Sequence, residues 1–114
     1  MVYCVNDGAV MDAWAKDQGC DQEAGLVKLF GDPSGALTRA LGLSLEDPGP
    51  MAKLGYPRTK RSALYIEDGT IKIFKVSERG PNGEDDPAGD DYPEETLAPS
   101  MIAALKELNL KSEL

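Results

Sequence analysis

The sequence predicts an α/β fold with a mixed sheet, on three observations. Strand-like and helix-like segments alternate through the N-terminal part, an Asp-Gly turn joins two strand-like runs in the middle, and a helical repeat closes the chain. Met1 to Val5 is apolar and rich in strand formers, and Asn6-Asp7-Gly8 ends it with cap and turn residues. From Ala9 the period changes to that of a helix. Val10, Met11 and Trp14 are expected on its buried face, Asp12 and Lys16 form an i,i+4 pair, and Gly19 ends it.

Residues 26–30, Leu-Val-Lys-Leu-Phe, form a second short strand closed by Gly31. Asp32-Pro33-Ser34 then reads as a helix start with proline at its first position, where the missing amide hydrogen costs nothing. Leu37, Ala40 and Leu41 supply its apolar stripe and Gly42 its stop. Residues 43–60 carry Pro48, Pro50 and Pro57 among scattered leucines, which predicts a loop with at most one helical turn. Two strands flanking Asp68-Gly69, from Ala63 and from Ile71, make a β-hairpin with one face buried and one wet. Residues 77–95 are an acidic loop expected to be solvated. Pro99 opens a last helix with Leu97, Met101, Leu105 and Leu108 at helical spacing and Glu107 paired with Lys111 outside. That helix should dock on a sheet.

Composition narrows the function. The 114 residues fit a single domain, 1–114. Twenty acids against twelve bases leave a formal charge of -8, so no nucleic acid is expected as a partner. The absence of histidine removes the commonest general base and most zinc sites. Glu84, Asp85, Asp86, Asp90, Asp91, Glu94 and Glu95 do not follow a calcium-loop spacing, and Pro87 interrupts them. With no Gly-rich phosphate loop, metal cluster or nucleotide fingerprint, no cofactor is implied.

The two cysteines, Cys4 and Cys20, fit neither a C-x-x-C motif nor a metal knuckle. They read first as small buried or half-buried hydrophobes and second as candidate redox thiols. Asp17, Asp21 and Glu23 near Cys20 should make it a sluggish nucleophile. No apolar run reaches the length of a membrane span, and no basic region followed by an apolar one opens the chain. A soluble chain in a reducing compartment or organelle is the expectation. Lys111-Ser112-Glu113-Leu114 resembles a retrieval tetrapeptide but is not read as one without a signal peptide.

Several short segments, in order, resemble the type II or peroxiredoxin-5-like thiol peroxidases. Val5-Asn6-Asp7 with Val10-Met11-Asp12-Ala13-Trp14 is similar to the family's V-N-D-x-x-V-M-x-x-W segment. Asp32-Pro33-Ser34-Gly35-Ala36 matches D-P-x-G-x, Lys60-Arg61 through Asp68-Gly69 the K-R-entered hairpin, and Leu97-Ala98-Pro99 the L-A-P entry to the last helix. The resemblance covers nearly the whole chain. It implies a thioredoxin-like fold and a thioredoxin- or glutaredoxin-dependent peroxidase activity in the family.

The family's peroxidatic cysteine sits in a P-x-x-x-[ST]-x-x-C motif at a helix start, which lowers its pKa. No such motif occurs here. In the family it lies upstream of the strand that residues 2–5 resemble, so the thioredoxin-like fold is expected to be incomplete, without the N-terminal strand and peroxidatic helix. Glu95 stands where some members carry a resolving cysteine, and Ser62 replaces the usual aromatic. Arg61 matches the arginine that faces peroxide in the family and reads here as a relic of that site, or simply as a hairpin-entry cation in a salt bridge.

The resemblance also places a strand between residues 2–5 and residues 63–66. A missing strand of that length leaves on the order of 5 to 10 backbone groups unpaired, at roughly 1 to 3 kcal/mol each if buried. That rivals a domain's whole stability of about 5 to 15 kcal/mol. Val2, Tyr3, Cys4 and Val5 are therefore one candidate interaction edge, and Ala63, Leu64, Tyr65 and Ile66 the other. The edges pair with each other, or a protein partner or second copy completes the sheet, or the remaining strand lies on another segment. The leading expectation is a non-catalytic module acting as a structural or interaction subunit, and the alternative is a thiol peroxidase whose catalytic cysteine lies upstream.

Overall fold

The computed structural model describes residues 1–113, so Leu114 and with it the end of the retrieval-like tetrapeptide lie outside the described residues. The chain divides into two compact units, Met1–Thr59 and Lys60–Leu114. The described strands pair two by two in three small sheets.

In the first unit, β1 (Val2–Cys4) runs parallel to β2 (Leu29–Gly31), with Cys4 opposite Gly31. Helix α1 (Gly8–Asp17) connects them, and Asp7 caps it by accepting a hydrogen bond from the Val10 amide at 2.9 Å. The expected Asp12–Lys16 pair forms at 3.3 Å. Of the expected face Met11 is buried, joined by Ala15 one turn on, whereas Val10 and Trp14 are about half exposed. The helical period holds and the buried stripe is centred on Met11 and Ala15, an i,i+4 pair. Leu26 is fully exposed, so the second strand is shorter than its apolar run.

Helix α2 (Ala36–Ala40) starts later than the proline suggests. Gly35 adopts a left-handed conformation at its entrance, and Asp32 supplies the cap from outside. Thr38, not Leu37, is its buried residue. The stretch expected to be a loop contains β3 (Ser44–Leu45), the helix α3 (Pro48–Leu54) and β4 (Arg58–Thr59), with β3 and β4 antiparallel. The prolines do not break α3, because Pro48 opens the helix and Pro50 lies in its first turn, where an amide hydrogen is not needed. Val5, Met11, Ala15, Leu43 and Leu45 form the apolar core.

In the second unit, β5 (Ser62–Glu67) and β6 (Thr70–Val76) form the expected antiparallel hairpin, with an irregularity at Tyr65/Ile66. Asp68 and Gly69 both have positive φ, at 50° and 78°, which is the type I′ turn whose twist suits two strands. Its apolar residues are only partly covered: Ile66, Ile71 and Phe74 are 53%, 42% and 41% exposed. A 3-10 turn, Glu94–Thr96, leads into α4 (Ala98–Glu113), whose Glu107–Lys111 pair forms at 3.4 Å. Lys75 of β6 donates to Ser100 Oγ at 2.9 Å, tying the helix start to the hairpin.

The expected solvated loop is instead organised around two buried polar residues, Ser77 and Asp86. Arg79 and Asp85 make an isolated antiparallel bridge inside it. No helix among the described residues is long and apolar enough to cross a membrane.

Candidate functional site

Arg61 immediately precedes β5, so its position is fixed by the hairpin register. Its carbonyl accepts from the Ser77 amide at 2.9 Å, closing the open end of the hairpin. Its guanidinium Nη2 lies 3.3 Å from Asp90 Oδ1, in a pair that is largely solvent-exposed on both sides. The neighbouring Lys60 pairs with Glu78 at 2.8 Å. Of the two readings of Arg61, the salt-bridged hairpin-entry cation is the one described by its contacts.

Asp90 is presented by a loop with a defined scaffold. Both carboxylate oxygens of Asp86 accept backbone N–H bonds, from Tyr92 at 2.8 Å and from Asp91 at 3.3 Å. Ser77 Oγ donates to the Pro93 carbonyl at 3.1 Å and lies 2.9 Å from Thr96 Oγ1. Gly89 passes so close that a Cβ there would lie 2.5 Å from the Ser77 carbonyl oxygen and 3.1 Å from Arg61 Cβ, with φ at +72°. Only glycine fits both demands.

The thiols belong to the first unit. Cys4 lies on β1, half-buried, with its carbonyl accepting from the Asp32 amide at 2.7 Å. Burial pushes its thiol pKa above the ordinary 9.0, with the Arg58 charge acting in the opposite direction. It is the protonated form that is favoured, the reverse of what a peroxidatic thiol requires. Cys20 follows α1, and its Sγ lies 3.6 Å from the Gln18 carbonyl. It lines a wide, open depression with Met11, Asp12, Glu23, Lys28 and Phe30. Both cysteines are free, and neither stands at a helix N-terminus.

Of the candidate edges, Val2, Tyr3 and Cys4 take β2 as strand partner on one side, while the Val5 side chain is in the core. Ala63, Leu64, Tyr65 and Ile66 take β6. Pairing of residues 2–5 with residues 63–66 is not among the described strand pairings, because β1 and β5 stand in different sheets. Among the described residues no group of three or more acidic or cysteine side chains is placed to hold a metal ion.

Two constellations escaped the sequence reading. Asp32 is a buried carboxylate accepting from the Thr38 amide at 2.9 Å, Thr38 Oγ1 at 2.8 Å and the Leu37 amide at 3.3 Å. The Thr38 amide bond above all holds its carboxyl below the usual value. Beside it the Tyr3 hydroxyl is buried without a hydrogen-bond partner. The second constellation is Arg58, which donates to Asn6 Oδ1 at 3.2 Å and to the Tyr56 hydroxyl, and lies over the Tyr56 ring. Two of the three Asp-Pro steps, 32–33 and 86–87, mark buried acceptors, whereas Asp47 before Pro48 makes no side-chain cap bond, so the step is only a partial signal. Nothing local signals the Arg58 contact.

No family model matches the chain. Curated relatives do. The chain is 38% identical over 76 residues to peroxiredoxin-2E of Arabidopsis thaliana chloroplasts, covering 67% of this chain and 31% of that protein. It is 36% identical over 109 residues to a peroxiredoxin of Rhizobium etli, covering 89% of this chain and 56% of the relative. Among solved structures, reduced Prx3 of Vibrio vulnificus in complex with H2O2 superposes with a TM-score of 0.65 at 26% identity, over 94% of this chain and 55% of that one. The chain thus spans at most about half the length of these relatives.

Proposed function

This chain is related to the peroxiredoxins and shares their mixed α/β, thioredoxin-like fold, and from that premise we propose that it is a non-catalytic peroxiredoxin-like module that acts by binding a protein partner. One observation carries the proposal. Among the described residues after Thr59, no apolar side chain is fully buried, while Ile66, Ile71, Phe74 and Ile102 are each 41% exposed or more. Among the described strands β5 pairs only with β6, and a strand edge without a strand partner can accept another strand. The chemistry of the described thiols agrees with this reading: Cys4 is shifted toward its protonated form and Arg61 is engaged with Asp90.

The occupant we favour is a strand-bearing segment that completes a peroxiredoxin-like sheet beside β5, on a partner or a second copy. Size-exclusion chromatography with light scattering should show self-association or partner-dependent assembly, with the outward-facing amides of Ser62–Glu67 becoming protected from exchange. A stable monomer that unfolds cooperatively and exposes no apolar patch to a hydrophobic dye would overturn it.

A second reading is favoured by the half-length match to active-site-bearing relatives: a thiol peroxidase whose catalytic cysteine lies on another segment. Sequencing the full-length transcript separates the two, since an upstream P-x-x-x-[ST]-x-x-C motif would establish the peroxidase, while a peroxide-consumption assay on this chain with a thiol reductant tests the described thiols. Consumption no faster than a free thiol is expected. Enzymatic turnover abolished by Cys4→Ser or Cys20→Ser would show that one of the described thiols is catalytic after all.

A further inference from the structure

The first unit contains a cavity of about 140 Å³ that none of the readings above uses. Its walls include Arg39 and Arg58 together with the polar residues Ser34, Thr38, Ser44 and Tyr56, and no carboxylate. That is unexpected on a chain whose formal charge is -8. Neither arginine forms a salt bridge among the described residues, although Lys16, Lys60, Arg61, Lys75 and Lys111 all do. The nearby Asp32 forms no salt bridge with either arginine, its oxygens accepting from the Leu37 amide, the Thr38 amide and Thr38 Oγ1, although the Arg39 charge helps to hold its carboxyl low.

The guanidinium groups are also held in place. Arg58 is fixed by Asn6 Oδ1 at 3.2 Å and by stacking over the Tyr56 ring, 5.0 Å from its centroid. Arg39 Nη1 donates to the Ser34 carbonyl at 2.8 Å. Each therefore keeps unused N–H donors while its position is set by neutral partners. Positioned cations with spare donors and hydroxyls alongside are the requirements for binding an oxyanion. Volume selects among oxyanions, since about 140 Å³ suits a group of phosphate or sulfate size. A nucleotide-sized ligand needs roughly 300 Å³ or more.

We infer that this cavity is a binding site for a small free oxyanion of phosphate or sulfate size, gripped between Arg39 and Arg58. The inference is independent of the peroxiredoxin-like reading and of any partner.

Inorganic phosphate is the probe. Titrated into the full chain at constant ionic strength set with sodium chloride, it should raise the Trp14-detected unfolding temperature saturably, and calorimetry should give a one-site isotherm. Arg58→Gln and Arg39→Gln should each weaken binding at least tenfold, while Lys53→Gln, outside the cavity, should leave it unchanged. Absence of a saturable effect beyond chloride, or binding by either arginine variant as tight as that of the unsubstituted chain, would overturn the site. Because Arg58→Gln also removes the Asn6 contact, amide chemical shifts of the unmutated chain provide a separate reading. Phosphate-dependent shifts should centre on Ser34, Thr38 and Ser44, and shifts centred elsewhere would refute the location.

Discussion

The first unit buries Val5, Met11, Ala15, Leu43 and Leu45, whereas the most buried side chains of the second are Ser77 and Asp86. In the first, burial of apolar area is the main support, at roughly 1.5 to 3 kcal/mol for each fully covered large side chain. In the second, hydrogen bonds made by a few polar groups organise the loop, and its apolar side chains remain partly wet. Apolar burial is non-directional and tolerates small shifts. A hydrogen-bonded scaffold does not, since a buried donor or acceptor left alone costs about 1 to 3 kcal/mol. The difference teaches that the second unit is the more sensitive to single changes and the one that gains more from being covered.

The largest test of this contrast is Gly89→Ala. The left-handed backbone and the 2.5 Å approach of its Cβ to the Ser77 carbonyl leave no room. A loss of at least about 2 kcal/mol is expected, measured as lost exchange protection at the Asp91 and Tyr92 amides. Retained protection would mean that the loop is not held by this close approach.

Asp86→Ala comes next. It strips two backbone donors of their acceptor and should cost about 1 to 3 kcal/mol in the same exchange measurement. A cost near zero would show the carboxylate to be a bystander and remove the polar half of the comparison.

Asp32→Asn probes the buried polar pair of the apolar unit, Asp32 with Thr38. A fall of roughly 4–8 °C in the Trp14-detected melting temperature is expected from weakening a helix-start acceptor. The pH dependence sharpens it. Hydrogen bonding, led by the Thr38 amide, lowers the Asp32 carboxyl from its ordinary 3.8. Its stabilisation is therefore complete above the ordinary carboxylate value and is lost as pH falls through the lower folded value. The variant should lose that acid limb of the profile. An unchanged acid limb would assign it to other carboxylates.

Arg61→Ala should have the smallest effect, within about 1 kcal/mol, because its pair with Asp90 is exposed on both sides. Equilibrium unfolding in urea is the check. A loss above about 2 kcal/mol would show that the arginine does more than pair on the surface.

The segments that carried the family resemblance prove to be structural punctuation. Asp7 caps α1, Asn6 accepts from Arg58, Asp32 holds the start of α2 and Asp68-Gly69 makes the hairpin turn. This is why kinship was legible in a chain with no recognisable catalytic motif. The candidate residues themselves were legible only as positions: Cys4 lies on β1 and Arg61 immediately precedes β5. The Asp90 partner and the burial of Cys4 depend on what folds against them. Asp86 was hidden among its acidic neighbours because composition cannot tell which member of a charge run turns inward.

What the sequence determined alone is local: the hairpin and its turn, the cap of α1, the i,i+4 pairs and the entry to α4. Each arises from sterics and hydrogen bonds between residues a few positions apart, so a short window contains all the information. Tertiary structure alone decided that Ala15 joins Met11 in the core while Val10 and Trp14 stay half exposed, and that Arg58 reaches Asn6 across the first unit. Those outcomes are set by which surfaces distant segments bring together, and no pattern within a single element encodes its neighbours.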